Sequence, residues 1–201
     1  MIAIIDYDAG NIKSVEKALL SLGEKAVITR DKEKILSADK VILPGVGAFG
    51  DAMEKIRSYG LEEVIHEVVD KGTPFLGICL GLQLLFEESE ESVGVKGLGI
   101  LMGKIVKIPD HQGLKVPQIG WNSLKYPNKG KLFEGVPEDS YVYFVHSYYL
   151  QAEDPDIVVA TTDYAVNIHA AVEKGSVFAC QFHPEKSSDV GLQILRNFVT
   201  I

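Results

Sequence analysis

The chain carries only two cysteines, Cys79 and Cys180, in 201 residues. Two thiols make no disulfide framework, and a reducing compartment is the simpler reading. Basic residues are outnumbered, 20 against 28 acidic, for a net charge of -8. That balance gives no support for a broad phosphate-backbone footprint, so no nucleic-acid partner is expected. No apolar run is long enough to cross a bilayer, and Met1 to Asp6 has no basic leader but reads as a first strand. A cytoplasmic protein without a membrane contact is the expectation. His66, His111, His146, His169 and His183 show no tight ligand spacing, so no metal and no cofactor are expected. Glycines crowd the run from Pro44 to Gly50, yet no Gly-Lys-Ser/Thr follows, so it is not a phosphate-binding P-loop.

What is present suits one compact domain over residues 1–201, with 46% apolar and 24% charged residues. Ile2 to Ile5 is a nearly continuous apolar run, as for a strand buried on both faces. After the turn at Asp8 to Asn11, Ile12, Val15, Leu19 and Leu22 recur at helical spacing up to Gly23. Strands are expected at Lys25 to Thr29, Lys40 to Leu43 and Phe75 to Ile78. Helices are expected at Gly50 to Ile56, Leu61 to Val69 and Leu80 to Glu88. This alternation is the signature of a parallel sheet covered by helices. Beyond Gly94 the rhythm changes to strand-like runs at Gly103 to Ile108, Tyr141 to Tyr148, Ile157 to Thr161, Ile168 to Glu173 and Val177 to Phe182. These read as hairpins and partly antiparallel additions, closed by a helix from about Asp189 to Val199. The expected class is α/β: a mostly parallel central sheet, flanking helices and additional antiparallel strands.

The chemistry centres on Cys79, in Gly77-Ile78-Cys79-Leu80-Gly81. A thiol on a tight strand-to-helix turn projects from the sheet beside unpaired N–H groups and a positive helix end. His183 ends a later strand, and parallel strand ends converge on one sheet edge, where it would serve as base. Glu185, across Pro184, would hold the imidazole in its useful tautomer. Taken singly, a cysteine after an apolar strand is more often a small buried hydrophobe, and a histidine before proline is often a strand-end residue. Two such residues at two strand ends, with glycines around the thiol, tilt the reading towards chemistry. Cys180 lacks a glycine elbow and reads as core. The loop from Pro44 to Gly50 follows a strand and has the flexibility to present N–H groups to a developing oxyanion. The acids Glu87, Glu88, Glu90 and Glu91 read as a solvated face, and His66 as a surface residue.

Three motifs together, Pro44-Gly45-Val46-Gly47, Gly77 to Gln83 and Gln181-Phe182-His183-Pro184-Glu185, resemble the class I, triad-type glutamine amidotransferases. The resemblance covers most of the chain and implies a flavodoxin-like fold in which Cys79, His183 and Glu185 hydrolyse L-glutamine to glutamate and ammonia. Within that class, Asp8 to Val15, Gly120-Trp121-Asn122, Tyr143 to Tyr148 and Phe182 to Ser187 are similar to the glutaminase subunits of imidazole glycerol phosphate synthase. Those subunits pair as a heterodimer with a (βα)8-barrel cyclase, which uses the ammonia to turn the nucleotide PRFAR into imidazole glycerol phosphate and AICAR. The alternative is a glutaminase subunit of another amidotransferase complex, such as anthranilate or aminodeoxychorismate synthase. The opening loop and the Pro-Gly-Val-Gly form argue against it.

By the same resemblance, Cys79 forms a glutamyl thioester, with Gly47 and Leu80 offering N–H groups in an oxyanion loop that includes Gly45 and Val46. Gly47, Gln83, Glu91, Ser147 and Tyr148 would contact glutamine. Asn11, Pro117, Trp121, Tyr143 and Lys186 would lie at the partner interface and ammonia exit. Gln118 carries no assigned contact. Because ammonia released without an acceptor is wasted, control is expected in residues 44–50, with the Val46 carbonyl pointing into the oxyanion site at rest.

Overall fold

The structure is a computed structural model describing residues 1–201. Five strands form the parallel half of the main sheet. They are β1 (Ile2–Ile5), β2 (Ala26–Thr29), β3 (Lys40–Leu43), β4 (Phe75–Ile78) and, far along the chain, β12 (Val177–Cys180). The other strands are β5 (Glu88–Ser89), β6 (Gly103–Lys107), β7 (Gln118–Ser123), β8 (Tyr141–His146), β9 (Tyr148–Ala152), β10 (Val158–Tyr164) and β11 (Val166–Lys174). The main sheet has ten strands, running β2-β1-β3-β4-β12-β11-β9-β6-β5, with β10 paired to β11. β11, β9 and β6 are antiparallel additions, and β7 with β8 forms a separate two-stranded ribbon. The helices are α1 (Ile12–Ser21), α2 (Lys32–Leu36), α3 (Phe49–Ser58), α4 (Glu62–Asp70), α5 (Leu80–Leu84) and α6 (Ser188–Thr200). The expected α/β class and its antiparallel additions hold. No helix is long and apolar enough to cross a membrane.

The core is double-sided because β1, β3, β4 and β12 are apolar on both faces. Ile5, Leu43 and Phe75 face one cluster with α3 and α4; Ile4, Ile42 and Leu76 face the other with α1 and α6. Complete burial of a Leu, Ile or Phe side chain contributes about 1.5–3 kcal/mol, so this central layer is what holds the sheet edge rigid.

Several expected boundaries shift. The helix after Cys79 ends at Leu84 rather than Glu88, because the carbonyls of Leu84, Leu85 and Phe86 are taken by N–H groups of the returning segment 98–101. The aromatic run splits at Ser147 into β8 and β9, which enter different sheets. Ile108 N–H donates to the Ser147 carbonyl, and His146 Nδ1 bonds the Tyr148 carbonyl at 2.8 Å, fixing the break. The last parallel strand stops at Cys180, two residues before the expected end. Three strands or α-helices are additional: α2, capped by the Asp31 carboxylate on Glu33 N and Lys34 N, the two-residue β5, and β7. The acidic cluster is solvated only in part: Glu88 and Glu90 are exposed, whereas Glu87 and Glu91 are partly buried. Glu87, Glu90 and Glu91 accept from backbone N–H groups of Gly103, Lys107 and Phe49, and Glu88 pairs with Lys96. His66 is half-buried on α4 rather than exposed.

The glycines around the thiol are there for space. A Cβ on Gly81 would sit 1.9 Å from the Leu43 carbonyl oxygen, and one on Gly77 would sit 2.7 Å from the Gly81 carbonyl oxygen. The first turn of α5 thus lies directly on the β3 and β4 backbones. Gly81→Ala must displace backbone, and we expect a loss of about 3 kcal/mol or more in urea denaturation. A loss under about 1 kcal/mol would show the elbow to be plastic.

Candidate active site

Parallel pairing of β4 with β12 sets Ile78 opposite Cys180, and Cys79 N–H donates to the Cys180 carbonyl at 2.8 Å. The chain then turns sharply at Cys79, with φ 55° and ψ -108°, before α5 begins. A non-glycine residue held there costs roughly 1–3 kcal/mol, which the buried strands on either side sustain. The turn aims the sulfur into a cavity of about 300 Å³ shared with Gly47, Gln83, Glu91, Ser147, Tyr148 and His183. Val46, Leu80, Pro117, Val145, His146 and Lys186 complete its wall. The volume is at the low end for small-molecule sites and suits an amino acid.

His183 lies just past β12, and its side chain is 3% exposed. Its Nδ1 donates to Glu185 Oε1 at 2.8 Å, so Nε2 is the nitrogen left to exchange a proton with the thiol. Burial would lower its pKa, but hydrogen bonding and charge from Cys79 in its thiolate form and from the Glu185 carboxylate raise it overall. The histidine backbone is clamped to β8 by three bonds. His183 N–H donates to the Tyr143 carbonyl (2.9 Å), Tyr143 N–H to Ser187 Oγ (2.9 Å), and Ser187 O–H to the His183 carbonyl (2.6 Å). Glu185 is fully buried and takes a second donor, Asn11 Nδ2 at 2.6 Å, on the same Oε1; its Oε2 has no partner. Asn11 therefore reaches the triad carboxylate itself and does not cap α1, although asparagine is among the best capping residues.

The loop ahead of α3 is pinned at both ends. Tyr7 O–H donates to the Pro44 carbonyl at 2.8 Å, while Glu91 Oε2 and Ser92 Oγ accept from Phe49 N and Gly50 N. Between them, Leu80 N–H donates to the Gly45 carbonyl at 3.3 Å. The expected oxyanion donor is thus occupied, and by a carbonyl one residue earlier than the Val46 group expected. Gly47 has φ 103°, its N–H makes no hydrogen bond within the protein, and the space beside its Cα is open. Cys180 is fully buried, as expected of core, and burial pushes its thiol pKa well up.

Three side chains escape the sequence reading. Gln181 is fully buried beside the thiol, Tyr7 anchors the loop, and His146 is buried in the cavity wall. A buried glutamine at the end of an apolar strand is the signal that Gln181 offered. Gln118, left without a contact, lies 2.8 Å from His146 Nε2. Burial holds the His146 pKa down to about 4, so the ring is neutral and donates from Nδ1 to Tyr148. Its Nε2 must then accept, so the Gln118 amide, whose Oε1 is the atom at 2.8 Å, has to be turned end for end to present its nitrogen.

Of the five residues expected at the partner interface, Pro117 and Lys186 line the cavity, Asn11 reaches Glu185, and Tyr143 is tied by its backbone to His183. Trp121 and Tyr143 pair edge to face at 5.9 Å, and Trp121 is 52% exposed. Ile119 stands beside them on the outer face of the β7–β8 ribbon, 63% exposed.

A nucleophile on a strand-to-helix elbow, with a histidine and carboxylate from the neighbouring strand end, defines a thiol acyl-transfer enzyme of the α/β class. The family profile described as glutamine amidotransferase class-I matches residues 3–201, and the chain belongs to that family. It is 51% identical over 201 residues, the full length of both, to "Imidazole glycerol phosphate synthase subunit HisH" of Methanocaldococcus jannaschii. It is also 51% identical to the same-named subunit of Methanothermobacter thermautotrophicus, covering 100% of this chain and 98% of that one. A solved glutamine amidotransferase superposes with TM-score 0.78 at 22% identity, covering 100% of this chain and 98% of that one. PurLQS from Thermotoga maritima superposes with TM-score 0.74 at 20% identity, covering 99% and 97%. At such identities the superpositions speak to the fold.

The neutral His146 makes an acid liability. It titrates near 6.5 unfolded and at about 4 folded, so between those values the unfolded chain binds more protons and stability falls as pH drops. From pH 7 to pH 5 this amounts to about 2 kcal/mol. His183, with its raised pKa, contributes in the opposite direction but is common to wild type and variant. Denaturation at both pH values should show a smaller acid loss for His146→Gln than for wild type; equal losses would mean that His146 is charged in the fold.

Proposed function

We propose that residues 1–201 act as one amidotransferase unit, the cytoplasmic glutaminase subunit of an imidazole glycerol phosphate synthase. In this reading it hydrolyses L-glutamine and passes ammonia to a (βα)8-barrel cyclase subunit. The observation that carries the chemistry is the shared cavity of Cys79 and His183, with Glu185 2.8 Å behind the imidazole. The full-length 51% identity to named HisH subunits carries the choice of synthase.

The reaction follows from the geometry. His183 takes the thiol proton, and the Cys79 sulfur attacks the side-chain amide carbon of glutamine. Charge develops on the carbonyl oxygen, and N–H groups of Leu80 and Gly47 would stabilise it. Collapse breaks the C–N bond, and His183 returns its proton to the departing nitrogen, releasing ammonia. Water, activated by the same imidazole, then opens the glutamyl thioester to give glutamate and free thiol. Gln83, Glu91, Ser147 and Tyr148 line the rest of the cavity and would hold the amino-acid end.

Control follows from the occupied donor. With Leu80 N–H bonded to Gly45, attack would leave the oxyanion short of one hydrogen bond, a loss of about 10²–10³ in kcat. The loop is pinned at Pro44 and at Phe49–Gly50, so the movable part is residues 45–48. Gly47 supplies the conformational freedom. The exposed Ile119–Trp121 stripe suits the cyclase. A barrel docked there would contact Tyr143, whose backbone is bonded to His183. The ammonia exit would pass Asn11, Pro117 and Lys186.

Glutamine hydrolysis should rise when the cyclase and the acceptor nucleotide are added together. Cys79→Ala should abolish it, by more than about 10³-fold, while the cyclase still accepts free ammonium. Stimulation by a chorismate-using synthase instead would move the assignment to the other class of complex. Persistent hydrolysis in Cys79→Ala would remove the thiol from the reaction.

A further inference from the structure

We infer that Gln181, oriented by Gln83, is the hydrogen-bond donor that selects the thiolate form of Cys79. This rests on the reading of Cys79 as the nucleophile. Gln181 is fully buried one residue past β12, with its backbone N–H bonded to the Ala170 carbonyl at 2.8 Å. Its Nε2 lies 3.8 Å from the Cys79 sulfur, and its Oε1 accepts from Gln83 Nε2 at 3.0 Å. Gln83 Nε2 also donates to the Tyr148 carbonyl at 3.1 Å.

These contacts fix both amides. Gln83 faces two oxygens, so its nitrogen must point at them and its carbonyl oxygen is left for the cavity. Gln181 receives a donor on one end, so its oxygen must be there and its N–H groups turn to the sulfur. Reversing Gln181 would set two amide nitrogens against each other and an oxygen against a thiolate.

Besides His183, which exchanges its proton, the sulfur has two partners that prefer opposite protonation states. As a thiol it points its S–H at the Val145 carbonyl, 3.9 Å away. As a thiolate it loses that bond and accepts from Gln181. A donor to the charged form favours that form, and a buried charge gains more from it than an exposed one. Gln83 lines the cavity, so the same amide pair joins the substrate pocket to the sulfur. A substrate ammonium or amide N–H on Gln83 Oε1 would polarise the chain Gln83–Gln181–sulfur in the direction that strengthens the last bond.

The test is the pH dependence of Cys79 alkylation by iodoacetamide in the full-length chain, with Cys79→Ala as the blank. The other groups around the sulfur are His183 with Glu185 behind it, Tyr7 and Cys180, and all are common to the proteins compared. Gln181→Met, close in shape and without a donor, should move the alkylation midpoint up by about one pH unit. Gln181→Glu should move it further. In complex with the cyclase, kcat for glutamine should fall roughly tenfold in Gln181→Met, with KM changed less than about twofold. An unmoved midpoint in a folded Gln181→Met overturns the inference. Should that variant fail to fold, the wild-type side-chain amide resonance of Gln181 decides. It should shift with the alkylation midpoint, and a resonance indifferent to pH overturns the inference. Glutaminase surviving in Cys79→Ala would defeat the functional reading, an outcome separable from either of these.

Discussion

The parallel pairing of β4 with β12 is the constraint on which the site depends. It joins segments about a hundred residues apart in sequence and ends both on the same sheet edge. Cys79 N–H is bonded to the Cys180 carbonyl, so the nucleophile is tied to the strand that delivers His183 three residues later. Everything downstream inherits that register. A slip by one residue would reverse the faces of Ile78 and Cys180 and carry His183 away from the thiol. Both strands are buried on both faces, so hydrophobic alternation does not set this register; close steric fits such as Gly77 against the Gly81 backbone do.

Around this fixed pair the protein accepts local costs. Cys79 sits at positive φ, Glu185 buries an unpartnered carboxylate oxygen, and His146 is kept neutral away from water. Asn11 adopts φ 66°, which asparagine tolerates, and its side chain serves Glu185 rather than its helix. Each of these is the sort of local conflict that marks a functional site in an otherwise consistent chain. They lie at one sheet edge, and the apolar layers on both faces supply the stability that lets them persist.

The parallel half of the fold was legible because its strands are short, apolar on both faces and punctuated by glycine and proline. The candidate pair Cys79 and His183 could be picked out for a related reason, since each closely follows a strand end, and Glu185 lies in the short turn beyond. What stayed hidden depended on partners distant in sequence. The helix after Cys79 stops early only because segment 98–101 returns to take its last carbonyls. Among the acids from Glu87 to Glu91, which all look solvated, Glu87 and Glu91 are drawn in by the N–H groups of Gly103 and Phe49. α2 was recoverable from Asp31 as its cap, but five residues give too little periodicity to announce a helix. Gln181 shows the limit most clearly. Its neighbours Cys180 and Phe182 mark it as interior, yet only the folded chain brings Gln83 and Cys79 to its two ends.

The distribution of anchors also bears on how such a site can be controlled. Tyr7 holds Pro44, Leu80 holds Gly45, and Glu91 and Ser92 hold Phe49 and Gly50, so the proposed oxyanion loop is without anchoring hydrogen bonds only between these points. A segment so confined has few arrangements, which favours switching over gradual adjustment. Gly10 packs against Val46 so closely that a Cβ there would lie 2.7 Å from its side chain, and the next residue, Asn11, bonds Glu185. The turn before α1 therefore touches both the 44–50 loop and the Glu185 carboxylate bonded to His183. On the far side, Tyr143 links the exposed ribbon to the His183 backbone. Two surface features thus reach the reacting groups through one residue each. A partner covering them would act on geometry already assembled, with only the Leu80 donor left to release.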